Sequence, residues 1–287
     1  MKNSKIEWTD HTVNLWHGCT KVGPGCANCY AEKGTKRWGK DLWGPDKPRQ
    51  VIKSALRTLI KLQTEAEAAD EVHMVFINSY SDIFEKSMPV VDTKGEPVME
   101  PDEEGDGEHQ LTTGELRRTF LDRVHAFPNL YFQLLTKRPA NIIRMIPNGW
   151  LFEWPDNVIV GVTVACVADV RPAVSALHRL MSTSKHVTTF LSCEPLLESV
   201  ADELLRQQFG KCIDWVIVGG ESGIKKRPFD VAWAYELQQL CDEEDVSCFV
   251  KQIDKVRPVP KDLIEARSWP IELNYYRLHR LRLNYQT

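Results

Sequence analysis

Six short apolar runs recur from residue 72 onward with stretches of helical length between them, and that rhythm leaves few folds open. The runs are His73–Asn78, Leu130–Leu135, Asn157–Val164, Val187–Ser192, Asp214–Val218 and Val246–Lys251. They are rich in Val, Ile and Phe and poor in charge, as strands covered on both faces must be. Amphipathic spacing predicts helices over Thr113–His125, Ala168–Thr183, Val200–Phe209 and Val231–Glu244, with another over Gln50–Ala69 ahead of them. Thr112 or Thr113 can cap the first of these and Asp230 the last, since their side-chain oxygens accept from otherwise unpaired backbone N–H groups. Strand–helix–strand repetition gives a parallel sheet with right-handed crossovers. With Glu7–Leu15 as an opening strand there are six or seven such units, so a partial or complete (β/α) barrel with parallel strands is expected.

A length of 287 residues suits one barrel domain over residues 1–255 with a C-terminal extension over 256–287. Within the barrel, Pro89–Gln110 is acidic, rich in Pro and Gly, and has little to bury; it is expected to be a flexible surface insertion. The basic, aromatic stretch Tyr275–Tyr285 is expected to pack on the barrel, with a nucleic-acid-facing tail as the alternative. The formal charge of −4 argues against a global basic field. No apolar run is long enough to span a bilayer, and no hydrophobic segment follows Met1–Thr12, so no membrane partner and a cytoplasmic location are expected. Clustered cysteines in that compartment point to metal or catalysis before disulfides.

Cys19, Cys26 and Cys29 form such a cluster, with six and then two residues between them. Thiolates suit iron–sulfur clusters and zinc alike. The Gly23-Pro24-Gly25 turn lets the longer gap fold back towards Cys26 and Cys29. A closed zinc site or an ordinary electron-transfer cluster takes four ligands. Three leave one iron of a [4Fe–4S] cluster open, whereas His17 or His11 would complete a zinc knuckle. Both readings stand on chemistry alone. Cys166, Cys193, Cys212, Cys241 and Cys248 are scattered and read as small buried hydrophobes.

Several segments together resemble a phage- and bacteria-associated family with a three-cysteine motif, grouped by likeness with radical-SAM proteins. They are IEWTDHTVNLWHGCTKVGPGCANCYAE, VFINSYSDIF, FQLLTKRP, VGVTV, FLSCEPLL, DWVIVGGESG and FVKQ, running from residue 6 to about 252. The resemblance implies a radical-SAM-like barrel whose cluster loop follows the first strand. It also implies a [4Fe–4S] cluster on Cys19, Cys26 and Cys29, S-adenosylmethionine (SAM) as cofactor, and an electron donor such as flavodoxin or ferredoxin. The usual radical-SAM spacing is C-x3-C-x2-C, with an aromatic residue before the last cysteine. Here the first gap is longer, Asn28 precedes Cys29 and Tyr30 follows it. Ala165-Cys166 also stands where relatives carry a Glu-Asn pair, which bears on an ancillary contact and not on the cluster.

In parallel barrels functional groups gather at the C-terminal strand ends. Those ends carry Asn78, Ser79, Ser81 and Asp82; Thr136, Lys137 and Arg138; Thr163; Cys193 and Glu194; Gly219, Gly220 and Glu221; and Lys251 with Gln252. Gly219 and Gly220 are expected to let a ligand approach the backbone closely. Glu194 or Glu221, with Asp82 and Asn78, are candidates for the SAM amino group or ribose. Lys137 and Lys251 are candidates for its carboxylate or for an anionic substrate, a nucleic acid or nucleotide. Lys225 and Lys226 are expected to be exposed. Two rivals remain: a zinc-knuckle nucleic-acid-binding protein, and a non-radical iron–sulfur electron-transfer or sensor protein.

Overall fold

The computed structural model describes residues 3–102, 105–222, 226–254 and 257–270. β1 (His11–Val13) and β2 (Trp16–His17) lead to α1 (Tyr30–Arg37), β3 (Arg49–Val51) and α2 (Ala55–Ala68). Next come β4 (His73–Ile77), β5 (Val90–Val91), β6 (Met99–Pro101), β7 (Glu108–Gln110) and α3 (Thr113–Leu121). Then strand and helix alternate: β8 (Leu130–Thr136), α4 (Ile142–Met145), β9 (Val158–Thr163), α5 (Val167–Thr183), β10 (Thr188–Cys193), α6 (Ala201–Arg206) and β11 (Trp215–Gly219). α7 (Val231–Glu243), β12 (Ser247–Gln252) and α8 (Lys261–Glu265) close the series.

The main sheet has seven strands in the order β1-β4-β8-β9-β10-β11-β12, and every neighbouring pair is parallel. Strand residues alternate between its faces. Val75, Ile77, Phe132, Val160, Leu191, Val216 and Val250 join the large core shared with helices such as α2, α5 and α7. Met74, Phe76, Tyr131, Ile159, Phe190, Trp215 and Phe249 form a second cluster on the opposite face. Trp8, just ahead of β1, packs against Phe76 at 4.9 Å and reaches Trp215 of β11 at 6.4 Å between ring centroids. An edge-strand lead-in can meet the sixth strand of the order only if the sheet curls, so the second face is concave and the sheet is a half-barrel. β1 and β12 remain its two edges. Residues 266–269 run beside β12, and Arg267 bridges to Glu7 at 3.0 Å.

Both predicted caps are present. Thr112 and Glu115 form a capping box on α3, and Asp230 accepts from the Ala232 N–H on α7. The opening strand is shorter than expected, because Trp8 turns into the concavity instead of extending the ladder. The helix expected over Gln50–Ala69 begins at Ala55. Residues 49–51 pair instead with β2 and β5, and Arg49 is fully buried.

Pro89–Gln110 departs from expectation. Val90 and Val91 are buried in a three-stranded sheet with β2 and β3, and β6 pairs antiparallel with β7. Composition obscured this, since two valines carry the docking and charged residues fill the rest. Trp269, near the end of the described residues, lies 4.9 Å from Phe249 between ring centroids. Tyr275–Tyr285, Gly223 and Lys225 lie outside the described residues. Among the described residues no helix is long and apolar enough to cross a membrane.

Candidate functional site

The period of two that puts Phe76, Phe190, Trp215 and Phe249 on the concave face sends the same parity onward past the strand ends. It arrives at Asn78, Lys137, Thr163, Glu194, Glu221 and Lys251. All six line one cavity of about 760 Å³, the volume of a small-molecule or cofactor site. Ser79, Asp82 and Gly220 line it too, and so do Cys19, Cys26 and Cys29. Gly219 does not: it sits inside β11, where an added Cβ would lie 3.3 Å from the Gln252 side chain.

The cysteine loop is tied down from several directions. A short turn over Pro24–Cys26 brings Gly25 so close to Ala165 that an added Cβ would stand 2.9 Å from that methyl. On one side Asn28 Nδ2 donates to Glu221 Oε2 at 2.9 Å, and Arg227 donates to the Pro24 carbonyl at 3.0 Å. Arg227 also pairs with Glu221 at 2.5 Å. Burial raises the proton affinity of Glu221, but the hydrogen bonds from Arg227 and Asn28 outweigh it and hold the carboxyl below its ordinary value. On the other side Arg138 donates to the Thr20 carbonyl at 2.6 Å, and Glu85 accepts from the Thr20 N–H at 2.8 Å. Tyr30 O–H reaches the Ser79 carbonyl at 2.7 Å.

Beneath Cys19 lies an ionic web. Arg138 pairs with Asp82 at 2.7 Å and Glu85 at 3.3 Å, and Arg49 grips both Glu85 oxygens at 2.8 Å. Thr136 Oγ1 and the Lys137 N–H also donate to Asp82. The Arg138 guanidinium lies 3.7 and 3.8 Å from Cys19 Sγ. Burial, then Asp82 and Glu85, push the Cys19 thiol up to about 12 against the pull of Arg138. Positive charge facing the sulfur, from Arg138 or from a bound metal ion, favours the thiolate in such a place.

Lys137 Nζ donates to Thr163 Oγ1 at 3.1 Å, and Lys251 pairs with Glu194 at 2.5 Å. Both lysines line the cavity. Asn78, in the left-handed region at φ +62°, accepts from the Leu15 N–H through Oδ1. Its Nδ2 is buried with no partner among the described residues. Gly220 has a different use from the expected one. A Cβ there would strike the Ile253 carbonyl at 1.9 Å, so glycine admits neighbouring backbone rather than a ligand. Lys226 is not simply exposed, because its ammonium donates to the Asp254 carbonyl. Sequence reading missed Glu85, Arg49 and Asn28, whose partners lie far along the chain.

Neither histidine considered for zinc faces this cavity. The His11 ring lies 3.1 Å from His73 Nδ1, and His17 packs against both Trp38 and Tyr80, where burial lowers its pKa. Among the described residues no three His, Cys, Asp or Glu side chains are grouped closely enough to hold a metal ion. The thiols share a cavity, then, without being drawn onto one point.

The fold and site define a half-barrel α/β protein with a cysteine-lined cavity at the C-terminal ends of its parallel strands. The chain belongs to the family described as a protein of unknown function (DUF5131), matching it over residues 3–96 and 104–268. No curated protein and no solved structure matches it. The break in the family match falls in the β6–β7 hairpin.

Proposed function

We propose that this chain is a radical-SAM-type iron–sulfur enzyme of the cytoplasm, with Cys19, Cys26 and Cys29 holding three irons of a [4Fe–4S] cluster. The observation that carries this is the donor set. Three soft ligands on one loop line a cavity at the strand ends, and the histidines that would complete a zinc site are engaged elsewhere. When bound, cluster and SAM together supply one-electron reductive cleavage of SAM and removal of a hydrogen atom from substrate.

The chain's own residues bind and orient. Arg138, fixed by Asp82 and Glu85, sets positive charge beside the Cys19 sulfur and favours its thiolate. Lys137 and Lys251, each held by a cavity neighbour, present ammonium groups to a carboxylate or to an anionic substrate. Of the two glutamates, Glu221 is spent on Arg227 and Asn28, whereas Glu194 keeps Oε2 without a partner among the described residues. Glu194 is therefore the carboxylate assigned to an amino group or ribose. The aromatic floor of Trp8 and Phe76 limits water from below.

Anaerobic purification with iron, sulfide and spectra tests the ligand set, and a colourless zinc protein would sink it. SAM should then perturb the EPR signal of the reduced cluster and yield 5′-deoxyadenosine under dithionite. A loaded, reduced cluster that ignores SAM turns the reading towards electron transfer or sensing.

A further inference from the structure

Although the chain is acidic overall, residues 30–40 carry Lys33, Lys36, Arg37 and Lys40 against Glu32 alone. This basic stretch also carries aromatic rings in a row that starts at the cavity. Tyr30 lines the cavity wall yet leaves 45% of its surface exposed. It meets Tyr80 edge-on at 5.8 Å. Tyr80 stacks on Trp38 at 5.5 Å with the planes 13° apart, and His17 packs against both. Trp38, at the outer end of the row, is 56% exposed. Gly34 allows the stack to form, since a Cβ on that turn of α1 would stand 3.0 Å from the Tyr80 ring.

The ring faces of a tryptophan are apolar, and a stacked tryptophan more than half exposed beside unmatched positive charge has the character of a binding surface. Lys36 is balanced by Glu32, the Lys33 ammonium is buried and Lys40 donates to the Thr93 carbonyl, which leaves Arg37, exposed with no hydrogen-bond or ion-pair partner among the described residues. Flat aromatic faces beside an unpaired cation suit one polymer well: an unpaired nucleic-acid strand, whose bases stack and whose phosphates pair. A duplex hides its base faces and cannot use such a row.

We propose that a single-stranded nucleic acid lies along α1, with a base on Trp38 and the strand directed past Tyr30 into the cavity. This names the substrate class of the site proposed above and rests on that reading for its chemistry. Binding itself does not need the chemistry, because it uses groups outside the cysteine loop's ligands.

The test is fluorescence anisotropy of the full chain with a labelled oligothymidylate, alongside a duplex of equal length and a labelled acidic peptide of equal charge. The single strand should bind best. Trp38→Ala should raise Kd about tenfold, the size of one lost base stack, while Trp38→Phe restores most of the affinity. Arg37→Ala should reduce the slope of log K against log salt by roughly 0.7, one phosphate contact on a single strand. Equal binding of duplex or peptide overturns the proposal, as does a Trp38→Ala chain that binds like the parent. Iron per chain is measured on the same preparation. An iron-loaded chain that binds no oligonucleotide overturns this inference and leaves the cluster reading standing, and an iron-free chain that binds does the reverse.

Discussion

The cysteine loop and the acidic insertion are both irregular, glycine- and proline-bearing segments, yet they are held in different ways. The loop from Cys19 to Cys29 is fixed by groups from remote strand ends: Arg138, Glu85, Glu221 and Arg227. The insertion is held at its root by Val90 and Val91 and beyond that by its own hairpin. The difference teaches that turn residues alone do not mark a site. What marks it is charge delivered from elsewhere in the fold and desolvated against the loop, because such charge fixes the loop's place and sets what it can bind.

The sharpest contrast is in the thiols. Cys26→Ala should abolish intact cluster assembly, while Cys212→Ala, in the core far from the cavity, should leave iron per chain unchanged after anaerobic reconstitution. Full iron in the Cys26 variant would break the assignment. Next comes the web beneath Cys19. Arg138→Ala leaves Asp82 and Glu85 buried without that partner, and removing one member of a buried pair costs about 3 kcal/mol. Urea denaturation measures it, and a loss well under 1 kcal/mol would show that the loop is not held this way. The insertion should respond less. Replacing residues 94–107 by a short Gly/Ser turn should cost under about 1 kcal/mol, because Met99 and Pro101 are exposed. Carrying the cut back through Val90 and Val91 should cost about 2 kcal/mol or more, from lost apolar burial.

Much of the cavity wall was readable from the chain. Lys137, Thr163, Glu194, Glu221 and Lys251 follow apolar strands at even spacing from concave-face residues, and parallel topology sends those ends to one rim. The spacing of Cys19, Cys26 and Cys29 was equally plain. The restraints on them were not. Asn28 meets Glu221 across 193 residues of sequence, and Glu85 acquires its role only when Arg49 and Thr20 fold onto it. Local pattern carries no information about such pairs. The insertion misled for the opposite reason: its composition is dominated by residues that bury nothing, while two valines decide where it docks.

The smallest effect expected is a pH dependence confined to the hairpin. His109 on β7 lies 2.6 Å from Glu115 and 2.9 Å from Asp102, and hydrogen bonds to these carboxylates raise its pKa above 6.5. A raised pKa means that this anchoring is fully present below the ordinary histidine value and fades as pH climbs through the folded one. For Glu115, burial raises the proton affinity, but hydrogen bonds from Thr112 and His109 outweigh it and leave the carboxyl below 4.5. Its share is complete above that value and fades on acidification. The hairpin should therefore be tightest between about pH 4.5 and 6.5. Amide exchange in β6 and β7, corrected for intrinsic rates, should accelerate from pH 6 to pH 8.5, while amides of the cysteine loop keep their protection across that interval. Asp102→Asn with Glu115→Gln should abolish the hairpin's response. Equal change in both segments would mean that the ionic web and the histidine clamp soften together, and the contrast between the two regions would fail.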